Sequence, residues 1–313
     1  MINEVIDLTN PNRNMLFSMS LEEATEIVAS GDPEKIASID GHFAIMARHN
    51  HIIRMARTLQ LPMRYFIVKK IAGPALLLAE RIDQIQGWLE ENGFGDQFHP
   101  SYTRMVPAHH LTEIALVGCP DPNPVCTRFF NPSPNSIKGN FGENYISELS
   151  KSISQCLLQI PENEPIGVLF SGGIDSGAVF LTTYNIMKTT GMNLARLKAF
   201  TLSVNGEGED VIQARDFLSS LDLELFLEVI TTPESWVNLQ DAVDTIEDYK
   251  PLDIQSGAMT LALCRGIREQ YPEFTYLIDG DGGDENLKDY PIEENPELTI
   301  KSVLSNQMLY QEG

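Results

Sequence analysis

Two short stretches carry residues whose types and spacing could do chemistry. The first is Ser171-Gly172-Gly173-Ile174-Asp175-Ser176, which follows the apolar run Ile166 to Phe170. Such a run reads as a buried parallel strand, and the apolar periodicity after Asp175-Ser176 predicts a helix towards Met187. Strand, small-residue turn and helix start together form an anion site. Glycines let a phosphate approach, backbone N–H groups point outward, and the helix dipole favours negative charge. The Ser171 and Ser176 hydroxyls add possible donors, and Asp175 places an acid beside that site. An acid next to phosphate makes sense where a divalent cation bridges them. A plain Gly-rich turn is the bland alternative, but it does not call for both serines and the acid at these offsets. The Walker A loop is excluded, because its spacing and its Gly-Lys-Ser/Thr ending are missing.

The second stretch is Asp279-Gly280-Asp281-Gly282-Gly283-Asp284-Glu285, after the apolar run Phe274 to Ile278. Hard oxygen ligands on a Gly-rich turn suit Mg²⁺. Gly280, Gly282 and Gly283 are candidate N–H donors for pyrophosphate, although glycines also simply make turns. A calcium loop competes for the same acids but lacks the bidentate Glu at its twelfth position. A solvated acidic turn is the third reading.

The elements around these stretches alternate. Leu197 to Val204 reads as a second parallel strand, Asp210 to Leu221 as a helix, and Glu224 to Thr231 as a third strand. Pro233 to Asp248 and Pro251 to Glu269 read as further helices, and Gly142 to Gln159 as one preceding the first loop. This order predicts an α/β domain with a parallel sheet. Ligands in such sheets sit at the carboxyl ends of the strands, so Val204 and Asn205 are a reasonable seat for part of a ligand. Asp253, Gln255 and Ser256, in the first turns of the last of those helices, are candidates for holding a substrate or ordinary capping residues.

The first 130 residues read differently. Ser20 and Glu23 form a capping box for a helix over Leu21 to Ala29, closed by Gly31-Asp-Pro. Phe43 to Arg48 and Ile52 to Arg57 predict a hairpin across His49-Asn50-His51. Tyr65 to Val68 and Ala75 to Ala79 are strand candidates, and Arg81 to Glu91 an amphipathic helix ended by Asn92-Gly93. Phe130-Asn-Pro-Ser-Pro-Asn-Ser136 has linker composition. The predicted organisation is a domain over 1–130, a linker over 131–140 and a second domain over 141–313.

Composition bounds the rest. A chain of 313 residues with 42% hydrophobic and 21% charged residues suggests two globular domains. No apolar run spans a bilayer, and Met1-Ile-Asn-Glu-Val-Ile-Asp7 is not a signal peptide, so no membrane role and a cytoplasmic location are expected. A formal net charge of −22 disfavours nucleic acid as partner. Cys119, Cys126, Cys156 and Cys264 are scattered, and free thiols are expected over a disulfide or a zinc site.

With these residues in view, the pattern S-G-G-x-D-S resembles the pyrophosphate loop of the ATP pyrophosphatase superfamily, whose members split ATP between its α and β phosphates. The acidic run resembles the G-D/E-G-x-D-E signature of the asparagine synthetases and β-lactam synthetases. By that match Asp284 shares Mg²⁺ with Asp175, and Asp281 faces the adenylated substrate. The resemblance implies an adenine nucleotide α-hydrolase-like sheet and an ATP-dependent, AMP-forming carbon–nitrogen ligase that adenylates a carboxylate for capture by an amine.

Asp40-Gly41-His42-Phe43-Ala44, Arg57, Leu61-Pro-Met-Arg-Tyr-Phe66, Met105-Val-Pro-Ala-His109 and Arg128-Phe-Phe-Asn-Pro132 resemble the glutaminase-like domain of the asparagine synthetases. That likeness implies an α+β domain of Ntn-hydrolase type, in four layers α, β, β, α. Active members use an N-terminal Cys as nucleophile. Here Ile2 follows Met1 and no cysteine precedes Cys119, so a remnant without glutaminase activity is expected.

Two departures bear on the second domain. The family's L-F-G-G-Y after the acidic run is replaced by Asn286-Leu-Lys-Asp-Tyr290. The family's later catalytic Lys has no counterpart in context, since only Lys288 and Lys301 follow, the latter in a predicted helix over Pro296 to Tyr310. Expected partners are therefore a small-molecule or peptide substrate bearing a carboxylate and an amine, and a second chain supplying the missing region or a homodimer. The competing readings are a sulfur- or nitrogen-transferring adenylator and a catalytically incomplete nucleotide-binding regulatory subunit.

Overall fold

The computed structural model describes residues 2, 4–115, 123–131, 138–206, 208–248 and 250–282. They gather into two compact units, the first described as far as Asn131 and the second from Lys138 to Gly282. The expected linker residues 132–137, Cys119, Gly283, Asp284 and Glu285, and the expected last helix over Pro296 to Tyr310, lie outside the described residues.

The first unit holds strands β1 (Glu4–Asp7), β2 (Met15–Leu16), β3 (Gly41–His42), β4 (Ala44–His49), β5 (Ile52–Arg57), β6 (Arg64–Val68), β7 (Ala75–Ala79), β8 (Arg104–Met105), β9 (His110–Ala115) and β10 (Val125–Arg128). Its helices are α1 (Leu21–Ser30), α2 (Pro33–Ile36) and α3 (Ile82–Glu91). One four-stranded sheet has the order β1-β7-β6-β8 and another β10-β9-β5-β4, with β2-β3 as a small ribbon. Period-2 side-chain alternation sorts their faces. Ile53, Met55 and Ile114 meet Tyr65, Leu76 and Leu78 between the sheets. On the far side of one sheet Ala24 and Val28 of α1 cover Ile45, Ala56 and Leu111, and on the far side of the other Ile85 and Leu89 of α3 cover Phe66, Leu77 and Ala79. The layers thus run helix, sheet, sheet, helix.

Local chemistry explains the boundaries. The Ser20–Glu23 capping box forms, and Gly31 ends α1 at φ 73°. Asn50 turns the β4–β5 hairpin at φ 55°. Arg81 stands at the N-cap of α3 rather than inside it.

The second unit opens with α4 (Phe141–Gln159), capped by Asn140. Then follow β11 (Ile166–Leu169), α5 (Ile174–Thr190), β12 (Leu197–Val204), α6 (Glu209–Ser219), β13 (Leu227–Thr232), α7 (Leu239–Ile246), α8 (Pro251–Gln270) and β14 (Tyr276–Ile278). All sheet pairs are parallel, in the order β13-β12-β11-β14. The helices α4, α5 and α6 bury one face through Ile153, Phe180 and Leu218, and α8 covers the other through Leu263 and Ile267.

Three sequence expectations need correction. Pro233 to Asp248 is not one helix: a 3-10 turn spans Glu234–Trp236, and α7 starts only where the Asn238 side chain accepts from Gln240 and Asp241 N–H. Glu247, left-handed at φ 54°, ends it. The third strand starts at Leu227 rather than Glu224, because Glu224–Phe226 coil into a 3-10 turn that buries Phe226. The fourth begins at Tyr276, since Phe274 turns edge-on to Phe200 instead of joining the ladder.

Candidate functional site

The chain leaves β11 towards β12 and β13, then returns to lay β14 on the opposite side of β11. Strand order therefore reverses at β11, and the crevice outside its carboxyl end is where open α/β sheets bind ligands. The loops following β11 and β14 both open there. They are the two stretches singled out by their chemistry.

The first loop is tightly built. The Phe170 N–H donates to the Phe200 carbonyl at 2.9 Å, and the Phe170 carbonyl accepts from the Thr201 hydroxyl at 2.6 Å, so the strand is pinned until Ser171. The Ser171 N–H donates to Ser176 Oγ at 3.3 Å, and the two serine hydroxyls lie 3.1 Å apart. Ser176, 8% exposed, also donates to the Gly173 carbonyl at 3.2 Å, while the Gly173 N–H donates to Ser171 Oγ at 3.3 Å. The Ser176 hydroxyl thus shapes the loop from within, and Ser171 is exposed.

Gly172 takes φ +81°, and a Cβ there would stand 2.5 Å from the Ala214 backbone nitrogen. No other residue type fits between this turn and α6. Gln213 Nε2 donates to the Gly172 carbonyl at 3.2 Å and fixes that contact.

The helix that follows differs from α1, α4 and α7, which Ser20, Asn140 and Asn238 cap. Gly173 at the N-cap of α5 provides no side-chain cap. An uncapped helix start directed at a sheet edge holds partial positive charge and N–H donors for an anion. Asp175 is half-buried in that first turn.

The acidic loop comes to this place from the other side. A Cβ on Gly280 would lie 3.0 Å from the Ser176 backbone nitrogen and 3.1 Å from the Asp175 carbonyl carbon, so the two loops meet backbone to backbone. Asp279 and Asp281 are exposed, with the Asp281 N–H donating to Asp279 Oδ1 at 3.3 Å. Gly282 has φ +94°, the left-handed region that glycine tolerates. Among the described residues no three His, Cys, Asp or Glu side chains form a metal-sized group.

Other expected residues spread further out. Val204 ends β12 opposite Thr232, four residues past the Phe200–Leu169 pairing, so β12 rises roughly 13 Å beyond β11 and walls one side of the crevice. Asn205 is left-handed at φ 56°. Its side chain accepts from the Glu234 N–H, and its own N–H donates to the Thr232 carbonyl. Asp253 pairs with Lys250 at 2.9 Å, while Gln255 and Ser256 are exposed on α8.

Sequence reading missed Thr201, Gln213 and Ala214. They support the phosphate-type turn from positions 31 and 41 residues away and, for Ala214, one further still, and nothing local marks them. The Cys264 thiol is pushed up by burial and, to a lesser degree, by the charge of the Asp279 carboxylate. Cys126, Cys156 and Cys264 are free thiols. No described helix is long and apolar enough to cross a membrane. A concavity of about 590 Å³ lies against Gly172 on the α6 side, lined by Glu209, Ile212, Gln213, Asp216 and Phe217.

A comparison with curated proteins returned no match. The family profile described as asparagine synthase matches residues 147–309, a span that holds the turn after β11, the strand order and the acidic loop together. That span is more than half of the 313 residues, and its members are ATP-dependent ligases, so the chain belongs to the asparagine synthase family.

Proposed function

We propose that the protein adenylates a substrate carboxylate with ATP, releasing pyrophosphate, and that an amine captures the acyl-adenylate as an amide. The observation that carries this reading is the contact of Gly280 with the Asp175–Ser176 peptide at the start of an uncapped helix. Ser171, Gly172, Gly173 and the first N–H groups of α5 would hold the departing pyrophosphate, helped by Gly280 and Gly282 from the opposing loop. Val204 would border the adenine. The residues present would suit a triphosphate, since the N-cap of α5 is a glycine with no capping side chain of its own and the exposed Ser171 stands beside it.

Mg²⁺ would be held by Asp175 and Asp284, and Asp281 would face the reacting carboxyl. When bound, the metal would offset charge developing on the phosphates. Most of the rate would come from these preorganised donors acting on the leaving pyrophosphate.

The first unit is proposed to be a degenerate glutaminase-like domain of Ntn-hydrolase type. Its support is the helix–sheet–sheet–helix layering. The amine would then come from the same substrate, from a second substrate or as free ammonia.

Substrate-dependent ATP–pyrophosphate exchange tests the reading. Exchange should fall by about two orders of magnitude or more in Asp175→Ala, in keeping with losses on removing one electrostatic stabiliser. Tight ATP binding with no exchange for any carboxylate would favour a regulatory subunit instead.

A further inference from the structure

The peptide between Gly172 and Gly173 lies in the middle of the phosphate-type turn, and its own residues do not fix which way it faces. A trans peptide is planar, so its C=O and N–H point in opposite directions. Turned over, it would offer an oxygen where an anion needs a donor. In most sequences side chains oppose this, because the turned form carries the second residue to positive φ. Gly173, at φ −71° as found, would move there at little cost, and Gly172, at φ +81°, adds no side chain to resist.

Two contacts hold the observed orientation. Gln213 Nε2 donates to the Gly172 carbonyl at 3.2 Å, and the Gly173 N–H donates to Ser171 Oγ at 3.3 Å. The second is local, and it gives way when an anion takes the Gly173 N–H and the exposed Ser171 hydroxyl as its own donors. The first comes from α6, 41 residues on, and survives that exchange. Its base is rigid. Ala214 is fully buried, and a Cβ on Gly172 would lie 2.5 Å from the Ala214 nitrogen and 2.7 Å from the Gln213 carbonyl carbon. Turn and helix thus meet backbone to backbone, and the Gln213 side chain is left to set the direction of the Gly172 carbonyl.

We infer that Gln213 is a positioning residue for the anion site. By drawing the Gly172 carbonyl to α6, it keeps the Gly173 N–H on the side of Ser171, where the departing pyrophosphate would sit. The inference rests on the ligase reading above and adds the residue that sets the polarity of the loop. Gln213 acts through the peptide and touches no phosphate. Without it the Gly–Gly peptide populates both orientations, and apparent affinity falls with the fraction that is competent.

The test measures binding of inorganic pyrophosphate with Mg²⁺ to the full chain by titration calorimetry, beside thermal melts. Gln213→Met keeps the side-chain length and removes the donor. Its dissociation constant should rise about three- to tenfold, the weight of one neutral hydrogen bond, with the melting temperature nearly kept. Alanine suits position 173 as found, with the new methyl 3.3 Å from Ser171 Oγ, and opposes the turned-over form. In a Gly173→Ala background, Gln213→Met should therefore cost less than about twofold, a coupling read from the four proteins of the cycle. Equal losses in both backgrounds would make Gln213 a brace or a direct contact and overturn the inference. So would an unchanged dissociation constant in Gln213→Met, or a melting temperature that falls in step with affinity. Failure of the unaltered protein to bind either pyrophosphate or ATP is a separate result, which removes the ligase reading itself and this inference with it.

Discussion

At the scale of single residues, the phosphate-type turn depends on an atom that is absent. Gly172→Ala would add a methyl 2.5 Å from the Ala214 nitrogen at φ +81°. A left-handed non-glycine residue costs on the order of 1–3 kcal/mol, before α6 is forced to move. The variant should therefore melt earlier and also lose exchange, whereas Asp175→Ala should lose exchange with its melting temperature nearly kept. Circular dichroism melts beside exchange assays separate the two. Glu228 offers a pH-dependent counterpart. Burial would raise its carboxyl, yet hydrogen bonds from Lys198 and Tyr271 and the Lys198 charge bring it below the ordinary value. A lowered folded pKa gives stability above the unfolded pKa that is lost as pH falls through the folded one. Glu228→Gln should thus cost about 1 kcal/mol at neutral pH. The gap to the unaltered protein should close in acid, below about pH 4. A gap that stays constant from neutral pH into acid in urea melts would contradict this.

At the scale of elements, close approach of α8 to β13 sets the wall beside the crevice. Gly266→Ala would place a methyl 2.3 Å from Ile230 Cγ2 and push helix from strand. Overpacking of this kind costs about 1–3 kcal/mol, readable as a lower urea midpoint with unchanged slope. Elements were legible where local chemistry decides them. The boundaries of α4, β12 and α8 follow from Asn140, from the apolar run ending at Val204 and from Pro251. They were illegible where tertiary contacts decide. The break before α7 depends on the Asn238 side chain turning to its own backbone, and the late start of β14 on Phe274 finding Phe200. The site divides in the same way. Both loops announce themselves by residue type, but the supports Thr201, Gln213 and Ala214 carry no local mark because their role exists only once β12 and α6 lie beside β11.

At the scale of the whole molecule, each unit has cores of its own and, by chance, one of the two tryptophans. Trp88 sits on α3 beside Phe94 in the first unit, and Trp236 ends the 3-10 turn after β13 in the second. Trp236→Phe leaves a reporter for the first unit and Trp88→Phe a reporter for the second. A ligand that binds only the folded second unit stabilises it by about 2.7 kcal/mol at a hundredfold excess over Kd. For a domain of this size that is a shift of roughly 5–10 °C. With a non-hydrolysable ATP analogue and Mg²⁺, the Trp236 signal should melt several degrees higher and the Trp88 signal should rise less. If instead the Trp88 signal moved alone, the nucleotide would sit in the layered first unit and the loops after β11 and β14 would have another purpose. If both moved equally, the two units would unfold as one, and the ligand's address would have to come from Gly172→Ala, in which the shift should vanish.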